Sequence, residues 1–325
     1  MLPEEIRQAG GHSEDLKLRA CRNAMSGQSK HISVCVCAYK RPDFLDRLLK
    51  ELESQDTNGL FTYSVVVADN DRLRSSEAIV SQFAASSPLP VKYCMEPRQN
   101  IALARNKAVE NADGDFIAFI DDDEVPATRW LLNLFRACEE YKVDGVLGPV
   151  IPQFNEPPPK WVIKGKFYHR PVYSTGVVVE WSKGRTGNLL FRKRILASTE
   201  QAFKPEFRAG EDQDFFRRMI EAGHTFIWSS EAVVHETVSR ARWKPSIMFK
   251  RALLRGATAR LHPTLGPLDI AKSLIAVPTY VAALPFAAFL GQHRIMSLLV
   301  RLFDHLGKLL ALVGVNPIRD QYVTD

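Results

Sequence analysis

From Ile32 onward the hydrophobic positions follow two alternating rhythms. Ile32-Ser33-Val34-Cys35-Val36-Cys37-Ala38-Tyr39 is an almost unbroken apolar run, the pattern of a strand covered on both faces. After Pro42, the positions Phe44, Leu45, Leu48, Leu49 and Leu52 recur at helical spacing behind Asp43 and Asp46, which marks a helix start. The same alternation predicts strands over 63–68, 91–95, 116–120 and 145–150, with helices over 75–84, 101–111 and 130–141. Such alternation implies an α/β fold with a mainly parallel, Rossmann-like sheet and helices on both faces. Ligands of these sheets bind beyond the carboxyl ends of the strands.

Past Val150 the rhythm loosens at Pro152, Pro157, Pro158 and Pro159, a boundary between a first half (31–150) and a second half (151–243). Strand patterns return at 177–181, 189–191, 225–228 and 232–235, and a helix is expected after Gly210-Glu211-Asp212. Residues 1–30 are polar and weakly patterned, and read as an extension. Residues 244–325 differ in kind. Between Lys272 and His293 lie 20 uncharged residues, long enough to cross a bilayer. Pro278 and Pro285 interrupt them, so a kinked, re-entrant or interfacial segment competes with a span. Next, Ile295, Leu298, Leu299, Leu302, Leu306, Leu309, Leu310 and Val313 share one side of a helix whose other side carries Arg301, Asp304 and Lys308. That helix suits a headgroup layer or the face of the globular part.

Charge changes the picture only once it is located. The net charge is +6, but residues 237–325 hold 12 lysines and arginines against 4 acids, which leaves −2 for the first 236 residues. Arg240, Arg242, Lys244, Lys250, Arg251, Arg255 and Arg260 have no acid among them from Thr237 to Leu268. With a hydrophobic stretch directly after it, this patch reads as facing a membrane surface on the cytoplasmic side, and nucleic acid is not expected as a partner. The N-terminus lacks the charged start and apolar run of a signal peptide. Five cysteines without CxxC spacing argue against a disulfide framework or a zinc site.

The candidate chemistry is acidic. The strand at 63–68 runs into Asp69-Asn70-Asp71, and that at 116–120 into Asp121-Asp122-Asp123-Glu124. Adjacent carboxylates repel one another, tolerably in solvent but in a cleft only beside a counter-cation. Hard oxygen ligands of this kind suit Mn²⁺ or Mg²⁺ bridging a diphosphate. Glu211-Asp212-Gln213-Asp214 complements a helix N-terminus and equally suits a catalytic carboxylate on a rigid base. His235 ends an apolar strand as a core group or a metal ligand.

Seven stretches in order carry a resemblance: residues 32–42, Val67-Ala68-Asp69-Asn70-Asp71, Asn100-Ile101-Ala102-Leu103-Ala104-Arg105-Asn106, Asp121-Asp122-Asp123, Thr186-Gly187-Asn188-Leu189-Leu190-Phe191-Arg192, Gly210-Glu211-Asp212-Gln213-Asp214-Phe215, and His235. Residues 31–243 resemble a family 2 glycosyltransferase of the GT-A fold, most of all the enzymes of bacterial succinoglycan and related exopolysaccharide synthesis. The resemblance implies that 31–150 is a nucleotide-sugar-binding half and 151–243 an acceptor and catalytic half. Ala38, Tyr39, Arg41 and Asp69 would hold the nucleoside, with Asp69 accepting from the base. Arg105, Asp121, Asp122 and Asn188 would line the donor. Asp123 would ligate the cation, with Asp121 nearer the ribose, and His235 would reach the cation or diphosphate. Asp212 would be the general base, with Glu211 and Asp214 on the acceptor side.

The implied activity is inverting transfer from a nucleotide diphosphate sugar, commonly a UDP-hexose, to a lipid-linked saccharide at the cytoplasmic face of a bacterial inner membrane. No Gln-x-x-Arg-Trp motif follows Asp214, and Arg240-Ala241-Arg242-Trp243 is only loosely similar, which favours single addition over processive polymerisation. A nucleotidyltransferase or a dehydrogenase would open on a glycine-rich loop, absent after Ala38. The remaining alternative is a membrane scaffold without activity.

Overall fold

The computed structural model describes residues 29–207, 209–261, 265–315 and 318; the expected extension up to residue 28 lies outside them. The apolar run after Lys30 becomes β1 (Lys30–Ala38), parallel to β2 (Phe61–Asp69) on one side and β4 (Phe116–Asp121) on the other. β3 (Val91–Met95) adds beyond β2. β8 (Asn188–Arg192) runs antiparallel between β4 and β6 (Gly145–Leu147), and β9 (Phe226–Trp228) closes the edge parallel to β6. The order is β3-β2-β1-β4-β8-β6-β9. Since β8 sits between β4 and β6, the two halves inferred from the prolines are interleaved in one sheet.

One apolar layer packs α1 (Pro42–Glu53), α2 (Glu77–Ser86) and α4 (Trp130–Glu140) against the sheet. The other holds α3 (Ile101–Glu110) and α6 (Glu211–Glu221), with Phe203, Phe215 and Phe216 at its centre. Burial of strands on both faces is the reason β1 reads as continuously apolar.

A second sheet, ordered β5-β10-β7, consists of β5 (Glu124–Pro126), β7 (Val150–Phe154) and β10 (Val234–Val238). Two expectations are corrected here. The single strand at 145–150 is two strands in different sheets, because Pro149 offers no N–H to continue the ladder. Residues 177–181 make only one bridge, Val178 to Ile227, before a 3₁₀ turn at Trp181–Lys183.

The tail is three helices: α7 (Pro245–Ala259), α8 (Pro267–Leu290) and α9 (Gln292–Leu312). α8 runs through both Pro278 and Pro285, so the expected interruption does not break the helix. A third apolar cluster, including Trp161, Trp243, Met248 and Met296, joins the tail to the globular part. Trp161 belongs to α5 (Lys160–Gly165), a short helix the sequence pattern did not announce.

α9 crosses α7 at backbone contact. A Cβ on Gly307 would lie 2.3 Å from the Leu253 carbonyl oxygen and 3.1 Å from the Ala257 nitrogen. Alanine gains up to about 1 kcal/mol of helix propensity over glycine, but overpacking costs about 1–3 kcal/mol. Gly307→Ala is therefore expected to lower the thermal unfolding midpoint; an unchanged or raised midpoint would contradict the close crossing.

α8 is the one described helix long and apolar enough to cross a membrane. Within it only Ser273 and Ala287 are buried, while Phe286 and Phe289 are 72% and 90% exposed.

Candidate functional site

The acidic turn lies where the sheet rule expects it, at the carboxyl end of β4 beside that of β1. Lys40 takes a left-handed backbone conformation, φ 54°, and turns the chain so that Arg41 leads into α1. The Arg41 guanidinium stands 2.6 Å from Asp122 and 2.8 Å from Asp123. Asp123 also faces Arg242 at 3.4 Å, and Arg242 reaches Glu236 at 2.9 Å. Arg170 donates to both oxygens of Glu236, at 3.0 and 3.1 Å.

Arg105 reaches the turn from the other side. Asn100 caps α3 by accepting from the Ala102 and Leu103 N–H groups and donates to the Pro205 carbonyl, which fixes the helix against the second half. The buried Arg105 guanidinium then pairs with Glu211, at the start of α6, and lies 4.0 Å from Asp121. Against the cost of its burial, Glu211, then Asp121 and Asp212, favour its charged form. One side chain thus joins the acidic turn to the acids of α6.

Of those acids Asp212 alone stays open. Glu211 is committed to Arg105, and Asp214 is 1% exposed between Arg217 and Arg218, at 2.9 and 2.8 Å. Asp212, half-buried, accepts from the Gln213 N–H. The acceptor-side role expected of Glu211 and Asp214 is corrected: both are buried in ion pairs that hold α6 in place.

Four further assignments change. Asn188 was expected to line the donor, but it is buried and fully engaged: its Oδ1 accepts from the Trp130 indole and its Nδ2 donates to the Pro149 and Ala232 carbonyls. It pins the β6–β7 break. Asp69 was expected to accept from a base; here it is buried and accepts from the Asp71 and Ser76 N–H groups and the Tyr93 hydroxyl. That shapes the loop after β2. Asp123, expected as the direct cation ligand, is held by two guanidiniums. His235 pairs in the sheet opposite Val125 and Ile151, its side chain makes no hydrogen bond or ion pair among the described residues, and its neighbour Glu236 is the β10 residue joined to Asp123 through Arg242. Ala38 and Tyr39 do stand at the strand exit: the Ala38 carbonyl accepts from the Asn70 N–H, and the Tyr39 hydroxyl accepts from Gln99.

Whether a cation suits the turn is decided by its buried carboxylates. Glu124 Oε1 is buried with no hydrogen bond among the described residues, a costly state for a carboxylate, and the buried Asp122 is met by the Arg41 guanidinium at 2.6 Å. Burial, reinforced by Asp123 and Asp121 against Arg41, pushes the Asp122 carboxyl up to about 8. Burial, then Asp121 and Glu236, pushes Glu124 well above the usual carboxylate range. Asp121 is by contrast 42% exposed. A Cβ on Gly187 would fall 2.8 Å from Glu124 Oε1 and 2.9 Å from Asp121 Oδ2, so glycine keeps open a space bounded by two carboxylate oxygens. Among the described residues no three His, Cys, Asp or Glu side chains already converge as a formed metal site. The donor set and the open space nonetheless fit a hard divalent ion, with Asp121 outermost.

Sequence reading named Glu124 only within the acidic run and missed Gly187, Glu236 and Arg170 as parts of the site. Gly187 carries a signal, standing two residues before an apolar strand; Arg170 carries none, lying in an irregular segment.

Comparison with known proteins follows the geometry. The profile of Glycosyl transferase family 2 matches residues 33–200. The succinoglycan biosynthesis protein ExoM of Rhizobium meliloti (strain 1021) is 32% identical over 311 residues, covering 92% of this chain and 97% of that protein. The glycosyltransferase AglE of Haloferax volcanii is 22% identical over 209 residues, 64% of this chain and 67% of its own. Among solved structures, the mannosyltransferase PcManGT from Pyrobaculum calidifontis, in complex with GDP-Man and Mn²⁺, aligns over 95% of this chain and 96% of its own with a TM-score of 0.59 at 19% identity. The fold is GT-A.

Proposed function

The chain belongs to the family 2 glycosyltransferases, and from that premise we propose that it moves a hexose from a UDP-hexose to a hydroxyl of a lipid-linked saccharide during surface polysaccharide synthesis, inverting the anomeric carbon. The observation that carries this reading is the position of Arg105 between Asp121 and Glu211. It ties the acidic turn to the start of the helix bearing Asp212, which supports a single displacement with a base on one side and charge neutralisation on the other.

Asp212 takes the acceptor proton as the hydroxyl oxygen attacks the anomeric carbon, and the bond to the diphosphate breaks on the opposite face. Retention by double displacement would need a second free carboxylate beside Asp212 as nucleophile; its helix neighbours Glu211 and Asp214 are both consumed in ion pairs. Asp121, with Asp122 and Glu124 behind it, would hold Mn²⁺ or Mg²⁺, which when bound offsets charge on the departing diphosphate. Arg41, 35% exposed and shared by two carboxylates, is the group suited to exchange one for a donor phosphate.

A thermal-shift screen of UDP-, GDP- and dTDP-sugars with Mn²⁺ and Mg²⁺ tests the activity. UDP-hexoses with cation are expected to raise the unfolding midpoint and to release UDP slowly by hydrolysis; a chain that binds no nucleotide sugar would refute the proposal.

The exposed apolar α8, the basic stretch before it and the polysaccharide relative support a place on the cytoplasmic face of the inner membrane. High-salt washing of membranes is expected to leave the protein in the pellet, since insertion of α8 does not depend on charge. Quantitative release by salt would reduce the tail to a surface contact.

A further inference from the structure

What α8 rests on decides how it can meet a membrane. It turns into α9 at Gly291, whose φ of 102° reverses the chain. The two helices also meet far from that turn: the Ser273 hydroxyl lies 2.9 Å from His305 Nδ1, and the Tyr280 and His305 rings are 5.8 Å apart. Ser273 stands eighteen residues before Gly291 and His305 fourteen after it, so α8 and α9 form an antiparallel hairpin packed side by side.

α9 in turn is fastened to the globular part along its length. Near its start Met296 enters the cluster of Trp161, Trp243 and Met248. Further on, Phe303 stacks on Phe249 of α7 at 4.6 Å, Asp304 pairs with Arg255 at 3.5 Å, and the Ala311 carbonyl accepts from Arg260 at 2.7 Å. A helix held at these points stays on the same side of a bilayer as the body that holds it.

A spanning α8 would carry its partner with it. Arg301 is exposed and ten residues past the turn, about 15 Å along α9. In a spanning hairpin that is the middle of a hydrocarbon core roughly 30 Å thick, where a charged side chain is strongly disfavoured. The prolines point the same way. Leu268, Ile275, Ala282, Phe286 and Phe289 line the exposed face of α8, and Pro278 and Pro285 stand on that face too. Neither proline has an N–H, so the Leu274 and Val281 carbonyls lose their helical donors. Among acyl chains nothing replaces those donors, whereas at headgroup level water does.

The charges of the hairpin complement an anionic surface. Asp269 pairs with Lys272 and Asp304 with Lys308, which leaves Arg294 and Arg301 as a surplus of exposed cations.

We propose that α8 lies in the plane of a single anionic phospholipid leaflet, its Leu268, Ile275, Ala282, Phe286 and Phe289 face among the upper acyl chains and both its ends on the side of the acidic turn. The inference rests on the membrane reading above and goes beyond it in denying α8 a crossing.

The test uses the full chain with Cys21→Ser and one added cysteine, Ala271→Cys or Gln292→Cys, treated with a membrane-impermeant maleimide. Burial pushes up the thiols of Cys35, Cys37, Cys94 and Cys138, so they label slowly, and the Cys21→Ser parent gives the background. In right-side-out spheroplasts neither added cysteine is expected to label; in inverted membrane vesicles both should. Nitroxides at Ile275→Cys, Ala282→Cys and Phe289→Cys in nanodiscs should report one common depth, about 5–10 Å into the boundary of headgroups and acyl chains. Phosphatidylglycerol should strengthen binding to phosphatidylcholine vesicles. Phe286→Ser/Phe289→Ser should weaken it about tenfold or more with the unfolding midpoint unchanged, since both side chains are exposed.

Labelling of Gln292→Cys from outside, a depth that grows from Ile275 to Phe289, or binding indifferent to phosphatidylglycerol would overturn the proposal. A pelleted chain labelled from outside at Gln292→Cys fails this inference alone, whereas a chain recovered wholly in the soluble fraction fails the membrane reading and this inference with it.

Discussion

Asp212→Asn is expected to lower the rate of sugar transfer by roughly 10²–10⁴-fold, the usual contribution of a positioned general base, while leaving donor affinity within about twofold. The substitution is close to isosteric, and the asparagine side-chain oxygen can still accept from the Gln213 N–H, so the start of α6 is undisturbed. What disappears is the ability to take the acceptor proton. The loss should therefore fall on kcat with acceptor present, and slow donor hydrolysis should change less.

Glu211→Gln makes the contrast. That residue is buried against Arg105, and removing one partner of such a pair leaves an uncompensated charge that costs about 3–5 kcal/mol. It should lose stability and transfer together. Equal stability loss in both variants, or an Asp212→Asn enzyme that transfers at the wild-type rate, would remove Asp212 from the base position.

The difference between these neighbouring acids shows what the sequence could and could not disclose. The sheet was legible because burial on both faces writes continuous apolar runs at 32–38 and 116–120, and β1 and β4 occupy those stretches. The sites at the strand ends followed from topology alone. Within Glu211-Asp212-Gln213-Asp214, however, every acid has the same local justification at a helix N-terminus. Only the distant Arg105, and the Arg217–Arg218 pair turned back on Asp214, separate the open carboxylate from the structural ones.

The same holds for Asn188. Its neighbours in sequence suggested the donor pocket, while its partners Trp130, Pro149 and Ala232 come from three other segments. Long-range hydrogen bonds leave no periodicity to read. The network from Glu236 through Arg242 to Asp123 was hidden for the same reason, since Glu236 and Arg242 lie 113 and 119 positions from Asp123 and Arg242 is indistinguishable in sequence from a solvated basic face.

Chelation of divalent cations is expected to lower transfer by roughly 10²–10³-fold, the scale lost when developing leaving-group charge goes unneutralised, and Mn²⁺ or Mg²⁺ should restore it. Stability gives a second readout that does not depend on turnover. In the cation-free protein, burial raises Asp122 from an ordinary 3.8 to about 8 and raises Glu124 as well. Between those values the folded state holds protons that the unfolded chain has released, so stability falls as pH rises from about 4 to about 8.

A cation seated among Asp121, Asp122 and Glu124 reverses the balance by favouring their charged forms, so Mn²⁺ should raise the unfolding midpoint more at pH 8 than at pH 5. Gly187→Ala fills the space next to Glu124 Oε1 and Asp121 Oδ2; it should weaken this Mn²⁺ shift while the pH dependence of the cation-free protein persists. A Mn²⁺ shift of the same size at both pH values, unaffected by Gly187→Ala, would move the ion elsewhere and leave these buried carboxyls as a neutral, protonated cluster.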